Sequence, residues 1–222
     1  MKTTFTWISN AWRRAKNHCR TTDNKDATAI DPTPVFRRKL LISEHSPIRL
    51  LEFDWQWKGI PYWVSTEWSR HKFEKFISTQ RNDRTRDPVP RGQKPQDAPV
   101  DFDGYANMQN LIDAWRKRLC RKATREARHL AEDFKIVLAT ADCQDEADML
   151  VPNCVYRMGC PEFTSCGLLE RFTEYANARG SRRWVTDISE RYRLYRQFLL
   201  DDLEARKRRG YEKPEEGEVH GS

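Results

Sequence analysis

No stretch of this chain approaches the roughly 18 apolar residues that a membrane span requires. The opening MKTTFTWISNAWRRAKNHCR also lacks a signal peptide's apolar core, because Asn10, Arg13 and Arg14 interrupt it. Cys-x-x-Cys, the usual knuckle of a structural zinc site, is missing, and six cysteines in 222 residues are too few for a disulfide-stapled secreted scaffold. No internal repeat is found. These absences exclude a membrane-spanning or disulfide-framework protein and predict a soluble one in a reducing cytoplasm.

What is present suits one sizeable domain, or a domain with an appendage. Eight Trp, seven Tyr and ten Phe can build a core and argue against disorder throughout. Forty Lys and Arg against thirty-three Asp and Glu leave a charge of +7, which favours anionic partners: phosphates, nucleotides or nucleic acid.

Residues 4–8 predict a short strand and residues 11–19 a helix. In residues 51–57, Leu51, Phe53, Trp55 and Trp57 alternate with Glu52, Asp54 and Gln56, the period of a strand with one buried face. Gly59 and Pro61 predict its end, and an extended 62–68 would complete a hairpin that delivers Arg70, His71 and Lys72 past a strand end. Residues 82–104, with Pro88, Pro90, Pro95 and Pro99, predict a functional loop, with a disordered linker as the alternative. Met108, Leu111, Ile112, Trp115, Leu119, Ala123, Leu130 and Phe134 then keep helical spacing, as one helix. Asn107 and Arg118, eleven residues apart, share a face of it, and Glu126 falls within its apolar stripe, where a carboxylate needs a partner. Residues 145–167 read as irregular and rich in cysteine. A final helix over 185–209 carries Trp184, Ile188, Tyr192, Tyr195, Leu199 and Leu203 on one stripe, with residues 206–209 complementing its dipole before Gly210. The tail 211–222 reads as disordered.

Three constellations could carry chemistry. Arg70, His71 and Lys72, with Ser78, Thr79, Gln80 and Arg81 close behind, could hold a phosphate through charge-assisted bonds, although an isolated basic triplet is more often solvated surface. His45 stands at a turn before the strand. Asn107 and Arg118 share a helix with Glu126 and Arg128, where an ordinary amphipathic helix is the plain alternative.

Together these segments resemble the flavin-dependent thymidylate synthases. That family reads, in order, a His-x-x-Pro-Phe-Glu-His turn, an aromatic strand, an Arg-His-Arg signature and a Ser-x-Arg. The matching stretch is EHSPIRLLEFDWQWKGIPYWVSTEWSRHKFEKFISTQRND, in which His45, Pro47, Phe53 and Trp68 fall at the family's positions. Arg70-His71-Lys72 stands for the signature and Thr79-Gln80-Arg81 for Ser-x-Arg. Arg91 and Pro95 follow, and NMQNLIDAWRKRLCRKATREAR then reproduces a family helix through Asn107, Leu111, Arg118, Ala123 and Glu126. The opening WISNAWRRAKNHCRTT is similar to the family's first strand and helix. The resemblance covers residues 4–135 and has no counterpart beyond 140.

The resemblance implies an α/β (α+β) subunit with a mixed central sheet flanked by helices, extended here by a C-terminal Cys-rich loop and helix. It divides the chain into a core over 1–140, a segment over 141–210 and a tail. It implies a cytoplasmic homotetramer (in the host cytoplasm if virus-encoded) with shared active sites. FAD, NADPH and methylene-tetrahydrofolate would convert dUMP, or a related pyrimidine nucleotide, to dTMP or a close variant. By position His45, Arg70, His71, Lys72 and Asn107 would face FAD. Arg70, Thr79, Gln80, Arg81, Arg91 and Arg118 would face the nucleotide, with Arg118 polarising the pyrimidine.

Several positions depart from the family. Phe76 and Ile77 replace an Asn-Glu, Glu67 a Gln, Gln109 an Arg, Asp113 an Asn, Lys122 a His, and Thr124 the Gln of Ala-Gln. These departures, with the basic clusters at 37–39, 116–122 and 206–209, support an alternative: a non-catalytic derivative that binds nucleic acid or a protein partner. Cys143, Cys154, Cys160 and Cys166, separated by ten, five and five residues, read as packed thiols, with metal binding as the alternative.

Overall fold

A computed structural model describes residues 2–179 and 182–208. The expected tail, Arg209 and Gly210 lie outside the described residues.

In chain order the elements are β1 (Thr3–Ile8), α1 (Trp12–Thr22), α2 (Pro34–Ile42), β2 (Glu52–Pro61), α3 (Tyr62–Trp68), β3 (Glu74–Ile77) and α4 (Asn82–Thr85). They continue as β4 (Pro99–Asn107), α5 (Met108–Arg118), α6 (Arg125–Thr140), α7 (Gln144–Met149), α8 (Asn153–Arg157), α9 (Leu168–Asn177) and α10 (Ile188–Arg208). The expected α/β architecture is therefore present. The strands form one sheet in the order β1-β2-β4-β3, and each of its pairings is antiparallel, so the sheet is not the mixed one expected.

One face of this sheet is aromatic and covered. Phe53, Trp55 and Trp57 of β2 and Phe102 of β4 are essentially inaccessible. Trp68 of α3 packs on Trp57, while Trp115 of α5 and Phe134 of α6 pack on Trp55. These edge-to-face and tilted pairs add about 0.5–1.5 kcal/mol each beyond the burial of their large areas. On β2 the opposite face is polar, with Gln56 donating to Asp103 across the β2–β4 ladder.

The structure corrects the hairpin. Residues 62–68 are helical, with Val64, Ser65 and Trp68 buried at helical spacing after Pro61. The first N–H groups of α3 donate to Ala98 and Gln96, so a neighbouring loop satisfies its exposed end. The partners of β2 are instead β1 and β4. Gly59 bulges β2 at φ +62° rather than ending it, and the strand runs on to Pro61.

Residues 82–104 are not one loop either. Their last six residues belong to β4, a central strand whose Val100, Phe102 and Ala106 alternate inward. Gly104, the last residue of that stretch, is a strand residue and not a loop residue. A Cβ there would stand 2.2 Å from Cζ2 of Trp55, so the strand needs a residue without a side chain beneath that ring.

The long expected helix is two. α5 ends at Arg118, and α6 starts after Thr124. Glu126 is only half-buried on α6, and the buried carboxylate of that helix is Glu132, which pairs with Arg128 and Arg206. Residues 145–167 hold α7 and α8 rather than irregular chain. α10 docks on this layer through Tyr192, Tyr195, Phe198 and Leu199, while Ile188, expected on its buried stripe, is exposed. The hydrophobic core is continuous from β1 through α10 and crosses the boundary expected near residue 140.

Candidate functional site

At one end of the sheet β2 begins, β4 ends and β3 begins, so that Glu52 pairs with Asn107 and Glu74 with Tyr105. An open cleft of about 520 Å³ lies here. His71, Lys72 and Phe73, from the link between α3 and β3, form one wall, and Tyr105, Asn107 and Asn110 form another. The link follows a helix, not a strand, which corrects the expected setting of the basic triplet.

Asn107 is both the last residue of β4 and the cap of α5, its side-chain oxygen accepting from the Asn110 N–H at 3.0 Å. It and Arg118 stand at opposite ends of α5, which runs unbroken between them.

Arg118 lies behind the cleft rather than in its lining. Its Nε donates to Nε2 of His71 at 2.7 Å, its Nη1 to Oε2 of Glu67 at 3.0 Å, and its Nη2 to the Glu67 carbonyl at 2.6 Å. Thr124 donates to the same Glu67 oxygen at 3.0 Å. The guanidinium carbon is 5.8 Å from the Trp68 ring centroid. Glu67, which could not be partnered from sequence, thus turns inward to neutralise Arg118. Burial lowers the pKa of Arg118, Glu67 opposes that shift, and Arg70 adds to it.

His71 is pushed down to about 4 by burial and by the cations of Arg118, Lys117 and Lys75. It is uncharged at neutral pH. Lys75 donates to the backbone carbonyls of His71 and Phe73, holding the link against β3.

The remaining expected residues are distributed as follows. Arg70 and Lys72 are exposed beside His71. His45 is exposed at the start of the 3₁₀ turn Ser46–Leu50, and its carbonyl accepts from Ile48. Its neighbour Glu44 ties that turn to α5 by accepting from Arg116 and Gln109. Thr79, Gln80, Arg81 and Arg91 belong to the chain beyond β3, organised by Asn82. The Asn82 amide donates to the Asp87 and Val89 carbonyls, and its oxygen accepts from the Arg91 N–H at 2.8 Å. Arg81 forks onto Asp83. The Nε2 of Gln80 is buried without a hydrogen-bond partner among the described residues. In the chain, β3 separates this second group from His71.

The cysteine set changes. Cys143 sits before α7, where burial, Glu146 and Asp142 push its thiol up to about 12. Cys120, not singled out from sequence, is the one that interacts electrostatically with Cys154, Cys160 and Cys166. Among the described residues no group of three or more His, Cys, Asp or Glu is arranged to hold a metal ion. Likewise no helix among them is long and apolar enough to cross a membrane.

The fold is that of a known class of solved structures. Flavin-dependent thymidylate synthase ThyX from Helicobacter pylori, complexed with FAD and dUMP, superposes with a TM-score of 0.57 at 13% identity, covering 68% of this chain and 100% of that one. A second structure of thymidylate synthase X from the same organism, with FAD and dUMP, gives a TM-score of 0.56 at 12% identity, covering 68% and 99%. No protein-family model and no curated protein matches the sequence. At these identities the likeness is one of fold.

Proposed function

We propose that this protein is a flavin-dependent enzyme of the thymidylate synthase type that modifies a pyrimidine nucleotide, dUMP or a close relative. The observation that carries the proposal is the meeting of His71, Lys72 and Asn107, residues from two distant segments, in one cleft. Solved structures of the same fold hold FAD and dUMP.

The residues present fit a flavin. The cleft offers a neutral imidazole, a lysine ammonium and the amides of Asn107 and Asn110 beside the rings of Phe73 and Tyr105. Bound FAD would supply hydride transfer, with NADPH as reductant and methylene-tetrahydrofolate as one-carbon donor. Arg70 and Lys72 are free to pair with phosphate oxygens. On the nucleotide side, the orphaned Gln80 amide supports a ligand beyond β3, with Arg91 as its charge partner, while Arg81 is already forked onto Asp83. Under this reading a homotetramer completes the site, and His45 contributes from the edge of α5.

The nucleic-acid alternative loses much of its footing. Arg116 pairs with Glu44, Arg118 with Glu67, Arg121 with Asp202, and Arg206 with Glu132 and Asp202. Those cations are held by the chain's own carboxylates.

The test is direct. The purified protein should bind FAD with a perturbed flavin spectrum. It should then release tritium from labelled dUMP when methylene-tetrahydrofolate and NADPH are added. Colourless protein that does not bind added FAD would overturn the proposal. Flavin binding without tritium release would redirect it to another pyrimidine nucleotide.

A further inference from the structure

His71 has one acceptor and one donor when neutral, and which nitrogen carries the proton is fixed by its partners. Arg118 can only donate. Since its Nε donates to Nε2 of His71 at 2.7 Å, Nε2 must be unprotonated, and the ring proton sits on Nδ1. No described residue pairs with Nδ1, and that nitrogen is not among the buried polar atoms left without partners, so it keeps solvent access on a residue that lines the cleft.

Arg118 is itself held from three sides. The Glu67 carboxylate and carbonyl fix its two terminal nitrogens, Thr124 fixes the carboxylate, and Trp68 lies beneath the guanidinium. A chain of fixed groups therefore runs from Thr124 through Glu67 and Arg118 to His71. It ends in a single N–H directed away from Arg118.

We infer that Arg118 is a positioning residue that locks His71 in its neutral Nδ1–H form, giving the cleft a fixed hydrogen-bond donor for a carbonyl oxygen or ring nitrogen of a planar heteroaromatic ligand. The identity of that ligand as a flavin rests on the proposed function; the lock itself does not. This differs from a role in which Arg118 touches a pyrimidine. Here it acts through His71, and its own charge is neutralised by Glu67.

The groups that face His71 set its behaviour with pH: Arg118 and Lys117 from α5, and Lys75 from β3, all cationic, with Glu67 reaching it only through Arg118. Protonation of Nε2 would put an N–H against the Nε–H of Arg118. The lock therefore holds down to acidic pH.

The experiment is long-range nitrogen–proton correlation on the full chain labelled at histidine, with the His71 signals assigned by their loss in His71→Gln. In the wild type, His71 should show the Nδ1–H tautomer alone and stay neutral from pH 8 to about 5. A wild-type ring protonated on Nε2, or one that titrates near 6.5, would overturn the inference without any variant. In Arg118→Ala the ring should show both tautomers and titrate closer to 6.5, and an unchanged signature would overturn it. Arg118→Lys, which keeps a donor, should partly restore the single tautomer and guards against a variant that fails to fold. FAD titration of the same proteins gives the second reading, with binding about tenfold weaker in Arg118→Ala for one lost oriented donor. A wild type that binds no FAD would defeat the proposed function and leave the tautomer result standing.

Discussion

Glu67 and Arg118 meet twice: the carboxylate accepts from Nη1 at 3.0 Å, and the backbone carbonyl of the same glutamate accepts from Nη2 at 2.6 Å. The pair joins the end of α3 to the end of α5, and both side chains are largely withdrawn from water, Glu67 at 17% and Arg118 at 13% exposure. Its energetics differ from those of a surface ion pair.

Arg118→Ala should therefore cost about 2–3 kcal/mol of stability, since it leaves a withdrawn carboxylate with only Thr124 as a partner. An arginine that served as a surface stem would change stability by well under ~1 kcal/mol. Glu67→Gln, which keeps an acceptor for Arg118, should cost less. Urea denaturation of the three proteins measures the order.

Gly104→Ala should be among the most damaging single-methyl additions in the chain. The new Cβ would fall within 2.2 Å of the Trp55 ring, which is enclosed by Trp57, Phe73, Trp115 and Phe134 and has nowhere to go. A loss of about 3 kcal/mol is expected. Combining it with Trp55→Leu should cost less than the sum of the two, and the thermal midpoints of the four-protein cycle check this.

Lys135 is wholly inaccessible, its ammonium donating to the Ala147 carbonyl under the ring of Tyr195. Burial brings it down to about 8 from the usual 10.5, with Asp148 opposing that shift and Arg196 adding to it. Between those values the unfolded chain holds the proton more tightly than the folded one. Stability contributed by this group thus rises as pH climbs from about 8 to 10.5. Lys135→Met should flatten that part of the profile relative to the wild type, as read by denaturant midpoints across the window.

The thiols of Cys143 and Cys154 are pushed up to about 12, chiefly by burial. At pH 8 few are thiolates. Iodoacetamide should modify both far more slowly in the native protein than after unfolding in urea, as mass spectrometry of the digested chain would report. Rapid native labelling of Cys154 would contradict its packing against the core.

The alternation in β2 was legible because one face is aromatic and the other charged, and that contrast is what a period of two expresses. α3 was not, because Trp63, Val64 and Trp68 are residues that strands favour, and only their burial pattern is helical. β4 was hidden by Gly104, whose absent side chain is explained by Trp55, a residue 49 positions away in sequence. The break between α5 and α6 left no trace in an apolar stripe that continues in phase across it. Of the site, the basic triplet and Asn107 could be singled out by order and spacing. The inward turn of Glu67 could not, because a carboxylate's partner is a matter of tertiary approach. Cys120 was passed over for a related reason: it lies far in sequence from the thiols it joins in space.

α5 carries the cap of the cleft at its start and the anchor of His71 at its end. Eleven residues of helix make a rod of about 16 Å, with each residue adding about 1.5 Å and a turn of about 100°. The helix therefore works as a measuring rod between Asn107 and Arg118, and its calibration resides in its length rather than in its exposed residues. Substitutions on its outer side leave the gauge intact. A single inserted or deleted residue would swing Arg118 by a quarter turn away from His71 and Glu67 while leaving every hydrogen-bonding group present in the chain. In this protein the site tolerates changes of letter on the outer side of α5 but no change in the number of its residues.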